Sequence, residues 1–121
     1  RSAYKKNIIL YVGKRKNYRS FCFVEDIVDG IIKCINNKKD FNNIFNLGSS
    51  KQISIEELAK KFIKKTDDSN IINVKQRPRN KIHNRAAENS KAKKILNWKE
   101  KISLEEGIKI TSAWMKKNII L

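Results

Sequence analysis

Apolar and polar positions follow two different periods along the chain, and these periods predict short strands separated by amphipathic helices. Short apolar or β-branched runs predict strands at residues 8–12, 21–24, 44–47 and 71–74. Apolar positions at the spacing of one helix face predict helices over residues 25–36, 54–66, 90–96 and 103–117. The alternation of these elements over 121 residues, without an internal repeat, predicts a single α/β domain.

Two of the predicted helices begin with a capping box. Ser54 is followed three residues later by Glu57, and Ser103 is followed in the same way by Glu106. In such a box the serine hydroxyl accepts a hydrogen bond from the glutamate N–H, and the glutamate side chain reaches back to the serine N–H. Both helix starts are therefore expected to be fixed by local sequence.

The stretch from Tyr18 to Gly30 joins a predicted strand to the helix that follows. Its two acids, Glu25 and Asp26, fall in the first turn of that helix, where unpaired N–H groups and the helix dipole attract negative charge. We therefore interpret them as helix-capping groups and not as catalytic acids. Arg19 stands at the edge of this strand-to-helix unit, where it could contact an anion.

The formal net charge of +16 changes this picture less than its size suggests. Lysine outnumbers arginine by 22 to 6, and lysine, isoleucine and asparagine together make 55 of the 121 residues. This is a compositional bias of the whole chain, whereas nucleic-acid-binding proteins usually cluster arginine and aromatic residues on one face. A small basic module for nucleic acid or acidic surfaces is therefore kept as an alternative function, and nucleic acid is not the expected partner.

A concentration of arginine lies in residues 75–89, which have no apolar period. The segment holds half of the chain's arginines, namely Arg77, Arg79 and Arg85. A long irregular segment in a small domain is usually functional or disordered. Arginine in a lysine-dominated chain favours function here, because its planar guanidinium forms bidentate contacts with phosphate that lysine cannot form.

The cysteines and tryptophans fall within apolar patterns. Cys22 and Cys34 are too few for a disulfide scaffold and form no Cys-x-x-Cys pair for a metal, so we expect buried, reduced thiols in a cytoplasmic protein. Trp98 and Trp114 are predicted to anchor the core. The first residue is Arg1 instead of Met, and from this we expect the chain to begin inside a longer one.

Four sequence blocks follow one another along the chain at a recognisable spacing. They are Arg19–Asp26, Phe45–Ser49, Arg85 with Ser90–Trp98, and Ser103–Gly107. Together they resemble the C-terminal portion of the extended short-chain dehydrogenases/reductases, the NAD-dependent nucleotide-sugar epimerases and dehydratases. Within that family, residues 110–114 are similar to the GDP-mannose 3,5-epimerases, and the block around Arg85 resembles the UDP-glucuronate decarboxylases.

The resemblance implies a fold and a set of ligands. Residues 1–121 would form a small α/β substrate domain of short strands and amphipathic helices, packed on a missing N-terminal Rossmann domain. That absent domain would bind NAD, a UDP- or GDP-sugar would lie between the two domains, and the full-length enzyme would be a homodimer. By their positions in the motifs, Arg19 and Arg85 would contact the diphosphate or ribose of the nucleotide, with Arg77 and Arg79 as looser candidates.

The catalytic motifs of the family are missing from this sequence. It contains no glycine-rich dinucleotide turn, and none of its three tyrosines is followed four residues later by lysine. We therefore expect a nucleotide-sugar-binding chain that is catalytically silent by itself. A degenerate fragment without present activity is a further alternative.

Overall fold

Strands and helices alternate along the chain, as the apolar periods predict. The computed structural model describes residues 8–13, 18–38, 42–66, 72–77 and 84–118. In these ranges the strands are β1 (Ile8–Gly13), β2 (Tyr18–Ser20), β3 (Gln52–Ser54), β4 (Ile72–Arg77) and β5 (Asn84–Arg85). The helices are α1 (Val24–Asn36), α2 (Ile55–Thr66), α3 (Ser90–Leu96) and α4 (Leu104–Asn118). The four predicted helices are confirmed, with bounds that differ by about one residue.

The described strands form two small sheets. β1 and β4 pair in parallel, from Ile8 opposite Ile72 to Gly13 opposite Arg77. β2 is the middle strand of the other sheet, antiparallel to β3 and parallel to β5. Adjacent parallel strands need a crossover connection between them. The chain between β2 and β5 supplies this connection, and it brings the two strands side by side.

The core of the described residues is built around Trp98. Trp98 and Ala92 are fully buried, and Leu96 is 7% exposed. The indole Nε1 of Trp98 donates a hydrogen bond of 2.7 Å to the main-chain oxygen of Asp26 in α1. This bond satisfies the one polar atom of the side chain that burial would otherwise leave unpaired. Trp98 is therefore confirmed as a core anchor.

α1 approaches this core closely because it carries a glycine at the contact. A Cβ atom at Gly30 would lie 2.7 Å from Leu47 Cδ1 and 2.9 Å from Trp98 Nε1. These distances are shorter than van der Waals contact, so residue 30 has no room for a side chain while its neighbours stay in place. The close contact fixes α1 against the segment that carries Leu47.

The capping boxes position the starts of α2 and α4. Ser54 Oγ accepts a hydrogen bond from the Glu57 N–H at 3.1 Å, and Glu57 Oε2 accepts one from the Ser54 N–H at 3.2 Å. At α4, Ser103 Oγ accepts from the Glu106 N–H at 3.2 Å. The predicted serine contacts are thus confirmed in both boxes, and the reciprocal one is confirmed at α2.

The strand predicted at residues 21–24 is wrong in its position. The strand lies at Tyr18–Ser20, and Val24 already belongs to α1. Pairing ends at Ser20, which is opposite Gln52, the first residue of β3. Beyond that pair the chain turns towards α4, where a Cβ atom at Gly107 would lie 3.1 Å from the Phe23 ring. Phe23 therefore packs against α4, and the run does not extend the sheet.

The strand predicted at residues 44–47 is also wrong for this structure. No hydrogen-bonded strand forms there among the described residues. An apolar run with the right period forms a strand only where another strand lies beside it, and none of the described strands does. The strand predicted at 71–74 is confirmed from Ile72 onwards, and Ile71 lies outside the described residues.

The segment predicted to be irregular, residues 75–89, is partly regular. β4 continues to Arg77, and Asn84 and Arg85 form β5. Both pieces are strands because each pairs with a neighbour distant in sequence, β1 in one case and β2 in the other. A two-residue strand is too short to show a period, so sequence alone does not reveal it.

Two predictions of burial are wrong. Trp114 is 59% exposed on α4, whose buried side carries Gly107, Ile108 and Ser112. At about 100° per residue, position 114 lies about 120° around the helix from position 108 and two turns beyond Gly107, so it falls at the edge of the buried side. The thiols of Cys22 and Cys34 are free, as expected, but both are half-buried and not fully buried.

Candidate functional site

The two arginines predicted most strongly to bind a ligand lie side by side. Arg19 is the middle residue of β2, and its partner in the parallel pairing with β5 is Arg85. Neighbouring strands are about 4.8 Å apart, and residues at paired positions send their side chains to the same face of the sheet. We call these two residues the arginine pair. The fold therefore brings together two cations that the sequence keeps far apart.

Arg19 is the more firmly held member of the arginine pair. Its side chain is half-buried, and its Nη1 donates a hydrogen bond of 2.8 Å to the Tyr18 main-chain oxygen. On the side of β2 away from Arg85, its antiparallel partner is Ile53 of β3. A guanidinium fixed in this way loses less conformational freedom when it binds an anion.

Arg85 is the more open member. Its side chain is exposed and makes no hydrogen bond or ion pair with any residue that the structure describes. Its five N–H donors are therefore available to a ligand. Like charges at paired positions of adjacent strands repel each other, so an anion bound between Arg19 and Arg85 would stabilise the sheet as well as the ligand.

The chain that follows Arg85 is fastened to the segment before β3. The Ala87 N–H donates to the Ser49 main-chain oxygen at 3.2 Å. Asn89, only 3% exposed, donates through Nδ2 to the Gly48 main-chain oxygen at 2.7 Å. Asn46 Nδ2 donates to the main-chain oxygen of Glu88 at 3.2 Å. These three bonds hold the chain directly after Arg85 in place.

Asp26 has a different role from the one predicted. It is 2% exposed, and it does not cap its own helix α1. Its Oδ1 accepts a hydrogen bond from the Lys101 N–H and its Oδ2 accepts one from the Ile102 N–H, each at 3.1 Å. The carboxylate therefore fastens the segment before α4 to α1. Sequence reasoning placed it correctly in a first turn but missed partners that lie far along the chain.

A cavity of about 640 Å³ lies beside β2 and β3, and the arginine pair does not line it. Its lining carries both signs of charge, from Lys51, Lys61 and Lys101 and from Glu57, Glu100 and Glu105. Lys61 is ion-paired with Glu105 within this set. An anion would gain little from such a balanced lining, so the arginine pair is the stronger candidate for an anionic ligand.

Cys22 lines this cavity, and its surroundings make it unreactive. Burial, and to a lesser extent the nearby carboxylates of Asp26 and Glu100, raises the pKa of the thiol to about 11. The thiolate is the nucleophilic form of cysteine, so almost none of Cys22 is reactive at neutral pH. This chemistry agrees with the expected structural thiol.

The two looser candidates are not brought to the arginine pair by the described pairing. Arg77 ends β4 and is opposite Gly13, in the other sheet. Arg79 lies outside the described residues.

Within the part of the chain that the structure describes, no group of three or more His, Cys, Asp or Glu residues could hold a metal ion. None of the helices described here is long and apolar enough to cross a membrane.

Comparison with known proteins places this geometry in context. The model of the GDP-mannose 4,6 dehydratase family matches residues 1–111. The UDP-glucuronic acid decarboxylase 1 of Arabidopsis thaliana is 36% identical over 104 residues, which cover 86% of this chain and 23% of that protein. The chain thus spans about a quarter of the length of this relative.

Solved structures of epimerases share the fold. The UDP-glucose 4-epimerase of Thermotoga maritima, with UDP-glucose, matches with a TM-score of 0.80 and 26% identity, over 92% of this chain and 36% of that one. The UDP-glucuronic acid 4-epimerase of Bacillus cereus, in complex with UDP-glucuronic acid and NAD, matches with a TM-score of 0.80 and 22% identity, over 93% and 36%. The α/β fold class and the family predicted from the four sequence blocks are confirmed.

Proposed function

Since the chain belongs to the GDP-mannose 4,6 dehydratase family, we propose that it forms the nucleotide-sugar-binding part of an enzyme of this family. Its relatives are NAD-dependent nucleotide-sugar epimerases, dehydratases and decarboxylases. The ligand is a UDP- or GDP-sugar. The observation that carries the proposal is the arginine pair, because it offers two neighbouring cations to one anionic group.

A nucleotide diphosphate fits the arginine pair in charge, and the two arginines lie on neighbouring strands as its two phosphates lie on neighbouring positions. Arg19 is held in place by the Tyr18 carbonyl and contacts one phosphate, while Arg85, open to solvent, closes on the other. Each guanidinium can form two parallel hydrogen bonds to phosphate oxygens, and charge-assisted bonds of this kind are among the strongest in proteins. Arg77 and Arg79 remain looser candidates for contact with the nucleotide.

The chemical steps belong to the part of the enzyme beyond this chain. The four glycines of the sequence, at positions 13, 30, 48 and 107, are too widely spaced for a dinucleotide-binding turn, so the chain does not fit NAD by itself. NAD⁺ bound by the rest of the enzyme would supply a hydride acceptor for transient oxidation of the sugar. This chain holds the nucleotide so that the sugar lies at a fixed distance from the cofactor, and alone it is catalytically silent.

The experiment that tests this proposal joins the chain to a cofactor-binding partner. In the chimera, this chain replaces the matched portion of the Thermotoga maritima epimerase, and binding of UDP-glucose is measured by titration calorimetry. Arg19→Ala and Arg85→Ala should each weaken binding by about 10- to 150-fold, the equivalent of a lost charge-assisted hydrogen bond. Lys93→Ala removes an exposed cation from α3 and serves as the matched control, with affinity unchanged.

Two results would overturn the proposal. One is equal binding of UDP-glucose by wild type and both arginine variants. The other is failure to bind UDP-glucose together with binding of a polyanion such as heparin that falls steeply with salt, since this is the behaviour of a nonspecific basic surface. This chain alone, without the cofactor-binding part of the chimera, should show no turnover of UDP-glucose.

A further inference from the structure

Asn89 lies at the start of α3, but its side chain does not cap that helix. Asparagine is preferred at this position because its side-chain oxygen accepts a hydrogen bond from one of the first N–H groups of the helix. Here the Asn89 side chain makes no such bond, and Oε1 of Glu88 accepts a hydrogen bond from the Ser90 N–H at 2.9 Å. The Asn89 amide is therefore available for contacts outside its own helix.

The Asn89 side chain is buried against residues far away in the sequence. It is 3% exposed, and its Nδ2 donates hydrogen bonds to the Gly48 main-chain oxygen at 2.7 Å and to Glu100 Oε1 at 3.5 Å, of which the first is much the stronger. A buried amide costs free energy unless its N–H groups are paired, so these bonds justify its place inside the fold. A side chain covered in this way acts on a ligand only through its neighbours.

A second hydrogen bond and a close contact join the same two segments. The Ala87 N–H donates to the Ser49 main-chain oxygen at 3.2 Å, beside the bond from Asn89 to Gly48. A Cβ atom at Gly48 would lie 2.9 Å from the Ala87 Cβ atom, so a side chain at position 48 would push the two segments apart. We call these contacts between residues 48–49 and residues 87–89 the clasp.

The clasp lies directly after Arg85 along the chain. β5 consists of Asn84 and Arg85, and it pairs with β2 at two positions, with Arg85 opposite Arg19 at the second. A strand of two residues is held only weakly by its own pairing. Because the clasp begins two residues after Arg85, it fixes the direction in which the chain leaves β5. It therefore helps to hold the Arg85 main chain beside β2.

We propose that Asn89 is a positioning residue of the nucleotide-sugar site: through the clasp it holds the Arg85 main chain opposite Arg19, so that both guanidinium groups reach one diphosphate. This inference rests on the proposed function for its ligand. The Arg85 side chain has no hydrogen bond or ion pair among the described residues, so its main chain has to supply the order. Binding groups that are held before the ligand arrives bind it more tightly, because less freedom is lost on binding.

The first test uses the chimera with the Thermotoga maritima epimerase and removes the Asn89 donor. Asn89→Asp replaces the NH₂ group by an oxygen that cannot donate, and it keeps a residue type preferred at a helix start. It should weaken UDP-glucose binding by about three- to tenfold, and by no more than Arg85→Ala does. Asn118→Asp is the matched control. Asn118 Nδ2 also donates to a main-chain oxygen, that of Trp114 at 2.8 Å, but at the exposed end of α4, so affinity should be unchanged.

The arginine variants show whether Asn89 acts through Arg85. In the Arg85→Ala chimera, Asn89→Asp should have almost no further effect on affinity, because the group that it positions is already absent. In the Arg19→Ala chimera, Asn89→Asp should keep its full effect. A general loss of stability would instead weaken binding equally in both backgrounds. Urea unfolding checks that every variant is folded under the conditions of the binding assay.

A second pair of variants opens the clasp without changing Asn89. Gly48→Ala places a Cβ atom against Ala87 and should weaken UDP-glucose binding by a similar factor. Ala87→Gly added to the same chain removes the opposing Cβ atom and should restore most of the affinity. This pair decides the question if Asn89→Asp does not fold, and a failure of Gly48→Ala to weaken binding would then overturn the inference.

Hydrogen exchange separates this inference from the proposed function, because it needs no ligand. In Asn89→Asp, the Ala87 amide should exchange at least about tenfold faster than in wild type, since its bond to Ser49 opens with the clasp. If the wild-type chimera does not bind UDP-glucose, the proposed function fails, and the exchange rate alone decides whether Asn89 orders the chain after Arg85. The inference is overturned if Ala87 exchanges as in wild type. It is also overturned if Asn89→Asp leaves affinity unchanged, or weakens it equally with and without Arg85.

Discussion

The region around Trp98 and the region around the arginine pair differ in how their interactions are satisfied. At Trp98, the indole N–H, the Asp26 carboxylate and the main chain of residues 101–102 find partners within the chain. At the arginine pair, two cations lie on adjacent strands, and the Arg85 side chain has no hydrogen-bond or ion-pair partner among the described residues. The first region stabilises the fold. Under the proposed function, the second gives up some stability to leave a site open for an anion.

The largest expected effect separates the two tryptophans. Trp98→Ala should lower the free energy of unfolding by about 3–5 kcal/mol, because it empties a fully buried site and leaves the Asp26 carbonyl without its donor. Trp114→Ala is the matched control and should change it by less than about 1 kcal/mol, since Trp114 is 59% exposed. Urea unfolding followed by circular dichroism measures both. Equal losses in the two variants would contradict the assignment of the core.

The next effect concerns the carboxylate that joins α1 to the segment before α4. Asp26→Ala should lower the free energy of unfolding by about 2–3 kcal/mol, because the N–H groups of Lys101 and Ile102 lose their acceptors. Asp26→Asn retains one acceptor oxygen and should cost less. Urea unfolding again supplies the measurement, and hydrogen exchange should show faster exchange at residues 101 and 102. If those two amides exchange as in wild type, the carboxylate is not what protects them.

A smaller effect of opposite sign is expected at the arginine pair. Arg85→Gln should raise the free energy of unfolding of the unliganded chain by about 0.2–1 kcal/mol, because it removes repulsion between paired like charges. Lys94→Gln, a loss of the same charge from an exposed position of α3, is the control and should have a smaller effect. The urea unfolding midpoints of the two variants are compared with that of wild type at low salt. A loss of stability in Arg85→Gln would mean that Arg85 serves the fold.

The last effect is absent at neutral pH and appears only above pH 9, as a dependence of stability on pH near the Trp98 region. Since the pKa of the Cys22 thiol is raised from 9.0 to about 11, the folded state keeps its proton at a pH where the unfolded state has lost it. The stability that the neutral thiol contributes is therefore complete below pH 9 and is lost as the pH rises from 9 to 11. Comparison of wild type with Cys22→Ser by urea unfolding across this range isolates the thiol from the many lysines. A stability difference between them that stays constant over the range would count against the raised pKa, and Cys34→Ser is the control variant.

Much of the chain could be predicted from sequence where the determining contacts are local. The four helices follow from apolar period and from capping boxes such as Ser54 with Glu57, whose partners are three residues apart. The strands were predicted less well. β2 lies three residues before the apolar run expected to form it, and β5 is two residues long and has no visible period. Strand position depends on a neighbouring strand that local sequence does not specify.

For this protein, the sequence by itself determined the positions of the four helices and the family, because helix periods, capping boxes and motifs are each carried by residues close together in the chain. Arg19 and Arg85 could be selected by motif, but only the tertiary structure paired them on neighbouring strands. The tertiary structure alone also decided that Asp26 holds the main chain at residues 101–102 and that Trp114 faces outward. The physical reason is common to all three: each depends on a partner, or on a packed side, that the folded backbone sets and the sequence period does not encode.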